Sequence, residues 1–225
     1  GDVGAGRLAS PEAIVAEVER VLTAGRDLAG LHVLVTAGGT REPIDPVRFI
    51  GNHSTGMMGI AIATEALRRG AEVRLVLGPG TRPPPPGVAV ERVVSAEQMQ
   101  AAVMGHLDTA DVVVMAAAVA DFRPKHVPDR KIKKGDGVPE LALEPTPDIL
   151  RGMSLARRPA TLLVGFAAET NDVVAAGRAK LASKAVDLLV ANEVGRAGTG
   201  FGSETDHAAI LDATGDDEPM RAWTK

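Results

Sequence analysis

Between Ala37 and Gly59 the chain reads AGGTREPIDPVRFIGNHSTGMMG, with five glycines and a concentration of hydroxyl and amide side chains. Set between an apolar run and a helix, such a stretch can deliver backbone N–H groups and hydroxyls to an anion at the helix N-terminus, where the macrodipole also favours negative charge. Ser54, Thr55 and Gly56 stand where a phosphate would be cradled. The spacing is neither G-x-G-x-x-G nor a Walker A loop, which needs Lys and then Ser or Thr after its second Gly. A merely structural connection is the competing reading. Asn52 does not titrate and so cannot be a general base. Its carboxamide offers a donor and an acceptor together, which suits it to orient an acyl or phosphoryl oxygen; the alternative is a turn residue that tolerates unusual φ. His53 reads as a loop or packing residue.

A second stretch, Phe122 to Lys134 (FRPKHVPDRKIKK), carries Arg123, Lys125, Arg130, Lys131, Lys133 and Lys134 against the single acid Asp129, in a chain of net charge −4. It is either a solvated charged loop or a lid hinged by Pro124, Pro128 and Gly135 that closes over a polyphosphate and excludes water. Thr146, Pro147 and Asp148 read as a helix start, with cap, first-position proline and acid in order. The amides of Asp148, Ile149 and Leu150 would make a second anion site, although capping alone accounts for the residue types. Lys180 and Lys184 are four apart and share one helical face, where a bound anion or solvent must relieve their repulsion.

The residues that are missing narrow the chemistry further. With no Cys there is no disulfide scaffold, thiol nucleophile or Cys-liganded metal centre, and with no Tyr no mechanism that needs a phenol. Aromatics at 2% and a negative net charge argue against base stacking and nucleic-acid binding. The five His are scattered without H-E-x-x-H spacing, so no protein-built metal site is expected. No apolar run reaches roughly 18 residues, so no membrane span is expected. Gly1 to Gly6 lacks the basic and apolar regions of a signal peptide, and a cytoplasmic location is the simplest expectation.

These segments need a scaffold, and 225 residues with 45% hydrophobic content suit one globular domain. Strand-like runs at Leu31–Thr36, Glu72–Leu77, Val88–Val94 and Ala110–Ala120 alternate with helical patterns at Gly56–Arg69 and Ala96–Leu107. Pro83 to Pro86 cannot join a sheet. A strand at Glu140–Glu144, a helix from Pro147, a strand at Thr161–Phe166, a helix ending near Lys184 and a strand at Asp187–Ala191 continue the alternation. Residues 207–224 read as two strands around a turn at Gly215–Asp217, and Ser10 caps a linker helix from Pro11 to about Leu22. The pattern predicts an α/β fold: a Rossmann-like, mainly parallel sheet flanked by helices, with a C-terminal β extension. Ligands of such sheets sit beyond the carboxyl ends of the strands, here near Thr36, Leu77 and Asp121.

Val35 to Arg48 (VTAGGTREPIDPVR) and Asn52 to Gly56 (NHSTG) together resemble the phosphopantothenate–cysteine ligase family of coenzyme A biosynthesis. The likeness continues through Ala117–Phe122, Lys131–Lys134, Gly165–Thr170 and Ala191–Glu193, covering roughly residues 31 to 214. Gly6–Leu8 and the Pro11 helix are similar to the end of the flavin-dependent decarboxylase fused before this ligase in bacteria. The division expected is therefore 1–30 as linker and decarboxylase tail and 31–225 as the ligase domain, with no flavin site. The missing closing helix suggests a C-terminal truncation.

The resemblance implies a two-step reaction: the carboxylate of 4′-phosphopantothenate attacks the α-phosphorus of CTP, and the amine of L-cysteine then attacks the acyl-cytidylate, releasing CMP. It implies that Asn52 handles the acyl-cytidylate and that Lys131 offsets charge at the α-phosphate. Met115, Ala116, Ala117 and Asp121 would border the nucleotide, with Pro147, Asp148, Ile149 and Leu150 at its helix N-terminus, Phe166 against cytidine, and Lys180 and Lys184 completing the pocket. Ser54, Thr55 and Gly56 could take either the 4′-phosphate or the triphosphate. Asp121 is a base for the cysteine ammonium by position alone, with solvent as the alternative. Mg²⁺ would ride on the triphosphate. A homodimer is implied, the β extension serving its contact and Arg48 reaching across the interface. Two other readings compete. A short-chain-type NAD(P) oxidoreductase would need the absent Tyr; a nucleotide sensor on the same sheet would bind CTP without releasing pyrophosphate.

Overall fold

The computed structural model describes residues 10, 11, 15, 25–195 and 205–224. In chain order the strands are β1 (His32–Ala37), β2 (Glu42–Pro43), β3 (Phe49–Ile50), β4 (Glu72–Leu77), β5 (Ala89–Arg92), β6 (Val112–Met115), β7 (Phe122–Pro124), β8 (Leu143–Pro145), β9 (Leu162–Glu169), β10 (Leu188–Glu193), β11 (Thr205–Asp212) and β12 (Glu218–Thr224). The helices are α1 (Met57–Arg68), α2 (Ala96–His106), α3 (Ile149–Ala156) and α4 (Val173–Lys184).

β1 is buried at every position after His32, which is why HVLVTA carries apolar residues on both faces. It pairs in parallel with β4 on one side and β6 on the other, so that Thr36 stands opposite Val76 and Met115. The eight-stranded sheet runs β12-β11-β10-β9-β6-β1-β4-β5, and the six strands from β10 to β5 are parallel. Taken in chain order, those six lie 3-2-1-4-5-6, the doubly wound order in which connections diverge on either side of the first strand and open a crevice there. β11 adds antiparallel to β10 and β12 antiparallel to β11, forming the C-terminal extension.

Strand alternation sorts the core into two layers. Val33, Val35 and Ala37 meet Ala63 and Ala66 of α1, while Leu34, Val113 and Met115 meet the side covered by Met99, Met153 and Leu181 of α2, α3 and α4. Each such large side chain removed from water stabilises the fold by about 1.5–3 kcal/mol. At the crevice the fit is close enough to demand glycine. A Cβ on Gly59 would lie 2.5 Å from the Thr36 carbonyl oxygen and 2.6 Å from Ala37 Cβ, so only Gly lets α1 start directly on the end of β1.

Several local expectations need correction. The apolar run Ala110–Ala120 is a strand only over Val112–Met115. Beyond it Ala117 N donates to Thr36 Oγ1 (3.0 Å), Ala118 N to the Gly38 carbonyl (2.8 Å) and Ala120 N to Thr40 Oγ1 (2.9 Å), bending the chain over the crevice. Asp121 therefore lies on that bend, not at the strand end. The strand expected at Glu140–Glu144 is β8, paired antiparallel with β7 so that Arg123 faces Glu144. The basic stretch thus hangs from a two-stranded ribbon. The helix expected from Pro147 begins at Ile149 with Asp148 as its cap, Oδ1 accepting from Arg151 N at 3.0 Å. Thr146 is unavailable because its hydroxyl donates to the Ala120 carbonyl at 2.6 Å.

Pro83–Pro86 lie outside every strand, and the two C-terminal strands turn around Gly215 as expected. Trp223 on β12 donates Nε1–H to the Ala208 carbonyl at 2.9 Å beneath the Arg221 guanidinium, 3.8 Å from the ring centre. The linker helix to Leu22 falls, apart from Ser10, Pro11 and Val15, outside the described residues.

Candidate active site

The crevice where β1 and β6 diverge is a cleft of two lobes. The first, about 470 Å³, is lined by Gly51–Gly59, Ala116–Val119, Asp121, Phe166–Ala168, Lys180, Asn192, Val194 and Asp206. The second, about 370 Å³, is lined by Met115, Ala117, Val119–Asp121, Pro145–Leu150, Phe166, Lys180 and Lys184. Ala117, Val119, Asp121, Phe166 and Lys180 border both lobes.

In the first lobe the β1–α1 connection folds back on itself. Ser54 Oγ accepts from Gly56 N (3.2 Å) and Thr55 Oγ1 from Met57 N (3.3 Å), while Gly56 takes the left-handed conformation that carries the chain into α1. The hydroxyls thus occupy the first two amides of the helix mouth. Met58 and Gly59, still within the first turn, keep N–H groups that the helix itself cannot satisfy. Asn52 Nδ2 donates to the Val119 carbonyl at 2.8 Å. A carbonyl can only accept, so the amide nitrogen must face it. The Asn52 Oδ1 atom and second N–H remain for the cleft.

The second lobe is electrostatically quieter than the lysine pair suggests. Lys184 Nζ lies 2.5 Å from Asp148 Oδ2, so the α3 cap answers its charge. Burial raises the Asp148 carboxyl, but the Lys184 and Arg151 hydrogen bonds outweigh it and leave the group below its usual range. Lys180, bordering both lobes, has no ion-pair partner among the described residues, so of the two lysines it alone brings an unanswered charge to the cleft.

The structure thus brings Asn52, Ser54, Thr55, Gly56, Met115, Ala116, Ala117, Asp121, Pro147, Asp148, Ile149, Leu150, Phe166, Lys180 and Lys184 to one cleft. It does not bring Arg48 or Lys131 to its walls. Arg48 is bound to Asp45 and to the Ile132 carbonyl of its own chain, and Lys131 is exposed on the basic loop.

Among the wall residues not singled out from the sequence, two form a polar pair. Asn192 Nδ2 donates to Asp206 Oδ2 at 2.5 Å, and Asn192 Oδ1 is buried with no hydrogen-bond partner among the described residues. For Asn192 the sequence signals are a polar residue ending the apolar run of β10 and its place in the Ala191–Glu193 stretch of the family likeness; Asp206 gives none until β11 is paired beside it.

An open sheet of this order, with loop amides, carboxamides and a lysine converging on its switch point, defines a Rossmann-type α/β domain with a polar cleft at the crevice. A family model described as the DNA/pantothenate metabolism flavoprotein C-terminal domain matches residues 28–225, and the chain belongs to that family. It is 47% identical over 214 residues to the coenzyme A biosynthesis bifunctional protein CoaBC of Bacillus subtilis, covering 94% of this chain and 52% of that protein. It is 46% identical over 239 residues to the protein of the same name in Mycobacterium bovis, covering 100% and 57%. The chain spans about half the length of the curated relatives it matches. A solved C-terminal domain of a CoaBC protein superposes with a TM-score of 0.72 at 39% identity, over 87% of this chain and 88% of that one. The family resemblance carried by the motifs and the Rossmann-like sheet expected from the strand–helix alternation are both borne out.

Proposed function

We propose that the chain joins 4′-phosphopantothenate to L-cysteine at the expense of CTP. The observation that carries this reading is the two-lobed cleft, in a chain of this family, with Asn52 in one lobe, the α3 N-terminus in the other and Lys180 bordering both. In the first step the pantothenate carboxylate attacks the α-phosphorus and pyrophosphate leaves. In the second the cysteine amine, having lost a proton, attacks the acyl carbon and CMP leaves with the electron pair of the broken acyl–oxygen bond. Both reactants are anionic, so positioning and charge neutralisation are the main demands on the protein.

Phe166 and the Pro147–Leu150 corner hold the nucleotide. Asn52, fixed on Val119, orients the acyl group, and Lys131 closes on the α-phosphate from the basic loop. The Ser54–Gly56 turn meets one phosphate end, and Asp121 stands between the lobes as the acceptor for the amine proton. The cleft walls contribute only the carboxylates Asp121, Asp148 and Asp206, and no group of three or more metal-ligating side chains occurs among the described residues. That donor set fits Mg²⁺ carried by the triphosphate with few protein ligands. When bound, the ion would neutralise phosphate charge.

On this reading residues 31–225 form the ligase domain and residues 1–30 lead from a decarboxylase half, the reaction being cytoplasmic. A homodimer is formed with the β11–β12 extension at the contact. Arg48, between the exposed Val47 and Phe49, would meet a second copy. The test is pyrophosphate release with 4′-phosphopantothenate, Mg²⁺ and each nucleoside triphosphate in turn, with and without cysteine. Release that needs the acid, is strongest with CTP and is followed by CMP formation on adding cysteine is expected. Nucleotide binding without release would favour the sensor reading.

A further inference from the structure

We propose that Asp45 is a positioning residue that latches the basic loop, setting where Lys131 stands relative to the Asn52 side of the cleft. The importance of Lys131 rests on the ligase reading; the latch itself rests on geometry. Asp45 lies in the turn between β2 and β3, and its carboxylate is fully buried. Oδ1 accepts from Val47 N and Arg48 N, both at 2.8 Å, which is all that the turn requires. Oδ2 has a different business. It accepts from Arg48 Nε (3.0 Å), from Arg48 Nη2 (2.5 Å) and from Ile132 N (3.1 Å), a residue 87 positions further along the chain. Arg48 Nη2 also donates to the Ile132 carbonyl at 2.7 Å.

Ile132 is therefore held by both its N–H and its C=O, which fixes the place and the rotation of a peptide flanked by Lys131 and Lys133. The same β1–α1 connection carries Asp45 and Asn52, so one buried carboxylate ties the two loops together. Arg48 offsets the Asp45 charge within the latch, so Lys131 is not drawn into neutralising it. Burial raises the Asp45 carboxyl, but the Arg48 side chain and the three backbone N–H donors overcome it and hold the group well below the usual carboxylate range. The latch stays charged at any pH at which an amine can react.

The test is Asp45→Asn in the full chain, read by amide exchange and by pyrophosphate release. Exchange over residues 125–134 is expected to rise about tenfold or more while the β1, β6 and β9 amides keep their protection, because the opening is local. Pyrophosphate release should fall by about tenfold to a hundredfold, the scale of a small misplacement of a reacting group. In a Lys131→Gln background the same substitution should change the rate by less than about twofold, because the two act as one unit. Unchanged exchange over 125–134, or an undiminished rate loss in the Lys131→Gln background, overturns the proposal. If Asp45→Asn does not fold, Ile132→Pro removes the N–H from the other side and carries the same expectations. Should the parent chain release no pyrophosphate, the ligase reading fails while the exchange result still decides the latch.

Discussion

At the residue scale, the two groups given separate steps should separate in their defects. An Asp at position 52 would set a carboxylate oxygen against the Val119 carbonyl that now accepts from Asn52 Nδ2, and would add negative charge to a cleft meant for anions. Asn52→Asp is expected to leave CTP binding near its original level while amide formation drops by about 10²–10³, the usual cost of removing one aligned donor. Chromatographic separation of acyl-cytidylate from product would show the intermediate persisting; unchanged product yield would remove Asn52 from the mechanism. Lys131→Gln should instead slow pyrophosphate release itself, measured before cysteine is added. Normal formation of the acyl-cytidylate by that variant would exclude Lys131.

At the element scale, α1 depends on its contact with the end of β1. Gly59→Ala places a methyl where the Thr36 carbonyl and Ala37 Cβ already stand, and overpacking of that kind costs about 1–3 kcal/mol. Thermal denaturation should show the loss, and a Tm equal to that of the parent would mean that α1 can move away freely. The elements were legible in the sequence where periodicity was uninterrupted. β1, β4, α1 and α2 lie within a residue or two of their expected limits, and α4 ends where expected, because two-sided burial and helical spacing both leave marks on local composition. The misread pieces depend on distant partners. Thr146 loses its capping role to a hydrogen bond with Ala120, and β8 exists only because β7 lies beside it. Ala116–Ala120 leaves the sheet because Thr36 and Thr40 take its amides. The site divides in the same way: the glycine loop and the lysine pair could be read locally, whereas Asn192 with Asp206, and Asp45 with Ile132, meet only through the fold.

For the molecule as a whole, paired carboxylates set the acid limit. Burial raises Asp187, but its hydrogen bonds with Arg157 and Leu163 N prevail and lower it, as the Lys184 pairing lowers Asp148. A folded-state value below the unfolded one, about 3.9, gives stability that is complete above the unfolded pKa and lost as pH falls through the folded values. Tm should therefore hold between neutral pH and about 5 and decline steadily below about 4. Asp187→Asn should flatten that decline, and an equally steep one in the variant would assign the acid sensitivity elsewhere. In the same way, sedimentation should give twice the 23.3 kDa chain mass if the antiparallel extension joins two copies. A single-chain mass at every concentration would dismiss the dimer.

The seating of Trp223 has an optical consequence. With one Trp and no Tyr in the chain, practically all ultraviolet emission arises from a single indole on β12, the outermost strand, seven positions along the sheet from β5. Its colour and intensity report whether that strand still holds the Ala208 carbonyl and keeps the Arg221 guanidinium stacked on the ring, and they say nothing directly of Leu163 or Met99 in the interior. Fluorescence thus observes one edge of the sheet, whereas far-ultraviolet dichroism averages over the whole backbone. A denaturant titration in which the two curves part company would register the peeling of the border strand as an event of its own.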